Sequence, residues 1–217
     1  MAFLFCFDVM SYQIWFAYML AFWVISVSPG AGAIASMSSG LSYGFRRGYY
    51  NAIGLQLALI LQILIVAAGA GVLFATTPWA FSLVKWFGVL YLLYLAYLQW
   101  TAPVKLMDVP VHAAQYRSRH SLVLNGFLVN MSNPKAIVFL LAVLPQFLDL
   151  NRPQWLQYLI MAATMITIDL IVMAGYTGLA AKVLRLLSSA KQQKYMNRSF
   201  AILFTCAALL LSTVHQA

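Results

Sequence analysis

Apolar stretches long enough to cross a membrane follow one another along the whole chain. Hydrophobic runs occupy residues 11–27, 49–74, 79–100, 121–148, 155–180 and 198–214. A membrane-spanning helix needs about 20 predominantly apolar residues, so each run is close to the length of one crossing. The pattern predicts an all-α integral membrane protein with six transmembrane helices.

Proline and small polar residues interrupt the pattern at the end of the first run and within the fourth. The interruptions contain the pairs Ser28-Pro29 and Asn133-Pro134. Serine and asparagine are good N-cap residues, and proline is favoured at the first position of a helix. Proline inside a helix removes a hydrogen bond and clashes with the preceding turn. We therefore expect helices 1 and 4 to be broken at these prolines, with a half-helix beginning at each.

The spacing of the two breaks predicts an internal repeat. Pro29 and Pro134 lie about half of the 217-residue chain apart, and each belongs to the first of three runs. Three crossings are an odd number, so the second copy must be inverted relative to the first. We expect one transporter domain over 1–217, with repeats at about 1–100 and 121–217 and a cytoplasmic connection at about 101–120. Paired interruptions in inverted repeats mark the binding site of many secondary transporters. The alternative is two kinks whose backbone groups neighbouring helices satisfy.

Composition and charge agree with a membrane protein and set its orientation. The chain is 64% hydrophobic and 8% charged, with a net charge of +9, whereas a soluble domain has about 25% charged residues. Arg152 is the basic residue of the second and fourth connections; those of the odd-numbered connections are Arg46, Arg47, Lys105, Arg117, Arg119, Lys182, Arg185, Lys191, Lys194 and Arg198. The positive-inside rule then places the odd connections in the cytoplasm and both termini in the periplasm. A basic face interleaved with aromatics is missing from the sequence, so lipid rather than nucleic acid explains the charge.

Two charged residues inside the runs are candidates for transport chemistry. Asp169 lies near the middle of the fifth run, where a carboxyl group is costly and is a functional candidate by default. It suits a coupling proton or a substrate ammonium group, and the alternative is a structural pair with Lys135 or another buried donor. Lys135 directly follows Pro134, where its ammonium group would reinforce an anion site formed by helix N-termini.

The candidate substrate-binding or coupling residues come from the two breaks and from polar positions of the runs. Gln56 in the second run is either a ligand group or a hydrogen-bond link between helices. Because the two half-helices are expected to begin inside the bundle, their free N–H groups would converge on a carboxylate. The full set is Ser28, Pro29, Gly30, Gly32, Gln56, Asn133, Pro134, Lys135 and Asp169.

Other small and amide-bearing residues of the runs predict helix packing. Gly69, Gly175 and Gly178 belong to groups of small residues that would allow close helix contacts. Gln62 lies near the centre of the second run, where a hydrogen bond to another helix is the ordinary role. Asn130 is expected at an interface or in packing.

The sequence gives little support to enzymatic or metal chemistry. The runs contain no Ser-His-Asp set, H-E-x-x-H pair or paired carboxylates, and His112, His120 and His215 fall outside them. Cys6 and Cys206 lack ligand spacing. We therefore expect no catalytic residues, metal or cofactor. A membrane-embedded enzyme, a non-transporting structural subunit, efflux of a different small solute and assembly into a homo-oligomer remain open.

Several segments resemble the LysE/RhtB family of bacterial amino-acid exporters, and in particular its homoserine, homoserine-lactone and threonine efflux branch. The similar segments include SPGAGAIASMSSGLSYGFRRG and NPKAIVFLLAVLPQF, with Ala31 in place of the second proline of the family's S-P-G-P pattern. The resemblance implies a multi-pass exporter of the bacterial inner membrane that uses the proton-motive force. Family members that carry lysine or arginine are often more acidic within the spans. Asp169 is the only clear acid there, which favours a small zwitterion or an uncharged derivative.

Overall fold

The computed structural model describes residues 9–76, 80–103, 117–149, 151–180, 182 and 189–213, and these residues are helical or lie in connections. The helices are α1 (Tyr12–Val27), α2 (Ala31–Gly48), α3 (Tyr50–Thr76), α4 (Ala80–Thr101), α5 (Arg119–Met131), α6 (Pro134–Ala142), α7 (Gln154–Gly178) and α8 (Ala190–Ser212), with a 3-10 turn at Leu144–Phe147. The all-helical prediction is confirmed for this part of the chain. Predictions for Cys6, Lys105, His112, Arg185, His215 and both extreme termini lie outside the described residues.

Several of these helices are long and apolar enough to cross a membrane. Residues Tyr50–Gly69 of α3 and the whole of α7 each meet this condition alone. The pair α1 and α2 is bent by 55°, and α5 with residues Pro134–Phe147 is bent by 56°. Counting each bent pair as one span gives up to four crossings in the described residues. The arrangement of six crossings as two repeats remains a prediction.

The connection between α1 and α2 differs from the predicted cap. Ser28 was expected to be the N-cap of a half-helix beginning at Pro29, but it is the C-cap of α1, because its amide donates to the Val24 carbonyl at 3.1 Å. The N-cap of α2 is Gly30, which forms no side-chain capping bond. A serine before a proline can end one helix or begin another. Here the backbone of Ser28 ends α1.

The connection between α5 and α6 has the capping chemistry that its sequence suggests. Asn133 is the N-cap of α6, and Pro134 occupies the first turn. The Asn133 side chain accepts a hydrogen bond from the Lys135 amide at 3.2 Å. This bond satisfies one of the backbone donors that a helix start leaves free, so it fixes where the half-helix begins and where the Lys135 side chain emerges.

The helices pack so that each bent pair contacts a long helix from the other half of the chain. α1 and α2 contact α7, while α5 and α6 contact α3. α4 and α8 contact each other. The core between them contains large side chains that are almost fully buried, including Tyr18, Leu55, Leu140, Met161 and Met165. Each bent pair is therefore packed against the other half of the chain.

The tightest helix crossing joins α3 to α5 through two glycines. A Cβ atom added to Gly54 would overlap the Val123 backbone carbonyl, and one added to Gly126 would overlap the Asn51 carbonyl. Gln62 of α3 donates to the Asn130 carbonyl at 2.9 Å, which confirms its role as a link between helices. Small residues thus let these helices approach at backbone distance, where polar side chains can bridge them.

The predicted close helix contact is confirmed for the group at residues 175–178 but not for Gly69. A Cβ atom added to Gly40 of α2 would overlap the Thr177 backbone carbonyl of α7. Among the described residues, nothing lies within 4 Å of a Cβ atom built on Gly69 or Gly175. A Cβ atom on Gly178 would lie 3.2 Å from the Phe45 ring. A group of small residues permits a close contact but does not specify it, because the partner helix decides which glycine is covered.

Replacing Gly54 by alanine should destabilise the protein, and replacing Gly69 should not. The new methyl group at position 54 has no space, so we expect Gly54→Ala to cost about 1–3 kcal/mol through overpacking. Gly69→Ala is the matched control, since it is an exposed position of the same helix. Alanine there should be neutral or stabilising by about 0.5–1 kcal/mol. Thermal unfolding of the two purified variants distinguishes them, and equal unfolding temperatures would contradict the crossing.

Candidate functional site

A small cavity of about 70 Å³ lies between the end of α1, the start of α2 and the start of α6. First-turn residues of both half-helices line it, namely Gly32 and Ala33 of α2 and Lys135 and Ala136 of α6. The rest of the wall is formed mainly by apolar side chains, including Phe22, Ile25, Leu55, Leu59, Phe139, Leu140, Met165 and Met173. The cavity therefore combines helix ends with a largely apolar surface.

Asp169 of α7 reaches the cavity wall with both carboxylate oxygens hydrogen-bonded. Ser26 Oγ donates to Oδ1 at 2.6 Å, and Gln56 Nε2 donates to Oδ2 at 2.6 Å. These donors come from α1 and α3, so the carboxylate joins three helices. An ionised carboxylate accepts hydrogen bonds at both oxygens, and this arrangement is complementary to that form.

Lys135 of α6 extends to the end of α1. Its Nζ donates to the carbonyls of Ile25 at 2.8 Å and Ser28 at 2.6 Å. The last carbonyls of a helix have no partner within the helix and carry partial negative charge, so an ammonium group stabilises them. Lys135 thereby links the second connection directly to the first.

The two charges of the cavity are kept apart. Within the described residues, Lys135 and Asp169 form no ion pair at 4.0 Å or less, although both line the same cavity. Each forms hydrogen bonds with uncharged partners. Lys135 donates to backbone carbonyls, and Asp169 accepts from the side chains of Ser26 and Gln56. Asp169 is therefore paired with other buried donors and not directly with Lys135, so its structural alternative stays open. The lysine and the aspartate side chains face a common space.

The structure brings most of the sequence-predicted site residues together. The cavity is lined by Ser28, Gly30, Gly32, Asn133, Lys135 and Asp169. Gln56 lies outside the lining and contacts the site through Asp169. Pro29 and Pro134 are also outside the lining and act by shaping the two connections.

Two polar residues of the site were missed by the sequence analysis. Ser26, near the end of α1, donates its hydroxyl to Asp169. Its only signal in the sequence is a hydroxyl group two residues before the Ser28-Pro29 pair. Asn130 was assigned to packing, but it also lines the cavity, and its Nδ2 donates to the Leu55 carbonyl at 2.9 Å. A short polar side chain in an apolar run gives no indication of which helix it will face.

The described residues form several apolar helices around a small cavity lined by a lysine and an aspartate, an arrangement typical of membrane transporters. The LysE type translocator family matches residues 23–214. The chain belongs to this family, and its members are transporters rather than enzymes.

Curated relatives cover nearly the whole chain. A homoserine/homoserine lactone efflux protein of Salmonella typhimurium is 39% identical over 209 residues, which are 96% of this chain and 100% of the relative. A membrane protein of Vibrio cholerae is 40% identical over 204 residues, with 94% of this chain and 98% of the relative covered. A leucine efflux protein of Enterobacter sp. is 28% identical over 198 residues, with 90% and 92% covered. No solved structure matches the chain significantly.

Replacing Asp169 should reveal the hydrogen bonds that position it. Asp169→Leu removes both acceptors and leaves the Ser26 hydroxyl and the Gln56 amide without partners, at a cost of about 1–3 kcal/mol for each orphaned group. Asp169→Asn should remain within about 1 kcal/mol of the native stability, because the unpartnered Gln56 Oε1 can turn to accept the new amide. Unfolding temperatures measure the difference. If the leucine variant is as stable as the asparagine variant, these bonds do not position the site.

Proposed function

We propose that the protein exports small amino acids or their derivatives, of the type of homoserine, homoserine lactone or threonine, from the bacterial cytoplasm. The names of relatives that match along nearly their full length support amino-acid efflux. The observation that carries the proposal is the separation of Lys135 and Asp169 in one cavity. A cation and an anion that do not pair with each other can receive the two charges of a zwitterion.

In this proposal the substrate carboxylate binds between the half-helix N-termini and Lys135. The first turns of α2 and α6 both line the cavity, and N–H groups at helix starts favour anions. Asp169 receives the substrate ammonium group. The apolar wall formed by Phe22, Phe139 and Met165 surrounds the substrate side chain, which suits a small neutral amino acid.

We further propose six crossings arranged as two inverted three-helix repeats in the inner membrane. The helix contacts support a two-fold relation, because each bent pair contacts the middle helix of the other repeat and the two last helices contact each other. The charge bias of the connections supports periplasmic termini. Partners in this arrangement are the amino-acid substrate, protons and membrane lipids.

Proton coupling is the final part of the proposal. Asp169 is the acid among the cavity-lining residues, so it is the residue we assign to the coupling proton. If it alternates between substrate ammonium and proton, the two cannot bind together, which gives exchange of protons for substrate.

Asp169→Asn should separate coupling from binding. Asparagine keeps hydrogen-bonding capacity but cannot take up a proton, so we expect proton-driven accumulation of labelled homoserine in inverted vesicles to be lost. Equal expression and an imposed pH gradient are required for the comparison with the wild type. Gly69→Ala, at an exposed position away from the cavity, is the control variant and should accumulate homoserine as the wild type does. Undiminished accumulation by Asp169→Asn would rule out the coupling role.

Lys135→Met should affect amino acids more than their lactones. A lactone has no free carboxylate, so loss of the ammonium group costs it less, whereas homoserine loses a charge-assisted hydrogen bond worth about 1.5–3 kcal/mol. The half-saturating concentrations of both compounds are measured in the same vesicles. An equal loss for homoserine and its lactone would show that Lys135 does not bind the carboxylate.

A further inference from the structure

The last turn of α1 is attached to other helices at four consecutive residues. Lys135 contacts the Ile25 and Ser28 carbonyls, and Asp169 contacts the Ser26 hydroxyl. At the intervening residue, the Tyr176 hydroxyl of α7 donates to the Val27 carbonyl at 2.6 Å. In addition, Gln99 Nε2 of α4 donates to Ser28 Oγ at 3.3 Å. The end of α1 therefore presents a set of carbonyl oxygens to donors from several helices.

The Ile25 and Ser28 carbonyls have the chemistry of an ammonium-binding subsite. Both accept from one Lys135 Nζ, at 2.8 and 2.6 Å, and the nearby Asp169 carboxylate contacts the same turn through Ser26. Backbone carbonyls at the C-terminal end of a discontinuous helix bind cations in several transporters. An amino-acid ammonium group is a cation of the same kind as the lysine ammonium and would satisfy the same oxygens.

The size of the cavity shows that an amino acid cannot enter it without displacing something. Its volume is about 70 Å³, about half that of a cavity of about 150 Å³ that holds benzene. Homoserine has more non-hydrogen atoms than benzene. Lys135 lines the cavity and lies beside Gly30, where a built Cβ atom would be 3.7 Å from Nζ. Movement of this long side chain is the change that enlarges the space.

We infer that the Ile25 and Ser28 carbonyls at the end of α1 complete, together with the Asp169 carboxylate, the subsite for the substrate ammonium group. The Lys135 ammonium group occupies the carbonyl part of this subsite when no substrate is bound. The inference rests on the proposed function, which it deepens by naming the subsite. A substrate carboxylate attracts Lys135 away from the Ile25 and Ser28 carbonyls, and the ammonium group of the same substrate replaces it. The carbonyls keep a cationic partner throughout, so no helix end is left unsatisfied in the membrane.

The exchange explains a selectivity for zwitterions. An ammonium compound without a carboxylate, such as an alkylammonium ion or homoserine lactone, does not attract Lys135, so it binds the subsite of the wild-type protein more weakly than an amino acid does. An amino acid supplies both charges. In Lys135→Ala the carbonyls are open, and the removed atoms match propylammonium in length and charge.

Binding of labelled propylammonium to the purified full-length protein tests the subsite. We expect Lys135→Ala to bind it at least about tenfold more tightly than the wild type, and homoserine to displace it. Saturating propylammonium should raise the unfolding temperature of this variant by about 5 °C, with propanol as the uncharged control. Lys135→Met fills the space with an apolar chain and should not respond.

Lys85→Ala is the matched lysine control. Lys85 Nζ also donates to a carbonyl at a helix end, that of Ser212 at 3.0 Å in α8, but it does not line the cavity. This variant should show no propylammonium binding that homoserine displaces. Equal binding by Lys135→Ala and Lys85→Ala would overturn the inference. So would failure of homoserine to compete in Lys135→Ala at concentrations raised to allow for its lost contact with Lys135.

If Lys135→Ala does not fold, a measurement on the wild type tests the subsite instead. Labelled homoserine bound to the wild type should be displaced by serine, a zwitterion, and not by propylammonium at a similar concentration. Displacement by both to the same extent would overturn the inference. If the wild type binds no homoserine, the proposed function fails, while propylammonium binding to Lys135→Ala still decides whether α1 forms a cation subsite.

Discussion

The need to satisfy backbone groups at interrupted helices is the constraint on which this structure depends. The last carbonyls of α1 have no partner within the helix, and a backbone group left unsatisfied within a membrane is costly. The protein meets the need with Lys135 and Tyr176, which donate to these carbonyls from other helices. The same interactions place a lysine and a carboxylate around one cavity. Lys135 therefore both satisfies the end of α1 and lines the candidate site.

This arrangement links binding to movement in a direct way. Donors from α6, α7 and α4 hold the end of α1, and in our proposal the substrate exchanges with at least one of them. A ligand that replaces an internal hydrogen bond can shift the helices from one conformation to another only if it binds the two conformations with different affinities. In our proposal a zwitterion has such a difference, because its carboxylate contacts Lys135 and its ammonium group contacts Asp169.

Much of the fold followed from the sequence, while the contacts of the site did not. The apolar runs indicate helices, and Asn133 before Pro134 indicates a cap, because both signals are local. Ser28 was misassigned, since serine before proline is compatible with either a helix start or a helix end. The partners of Asp169 depend on how α1 and α3 pack against α7, which no local pattern records. Ser26 and Gln56 acquire their roles only through that packing.

The central claim is that the carboxylate of an amino acid binds beside Lys135 in the cavity between the two connections. Solid-state NMR can measure the distance between the labelled carboxyl carbon of homoserine and labelled lysine Nζ atoms in membranes. The account predicts one close carbon–nitrogen pair, at about 3–4 Å as for a charge-assisted hydrogen bond, which disappears in Lys135→Met. A close pair that persists in Lys135→Met, or no close pair in the wild type with homoserine bound, would contradict it.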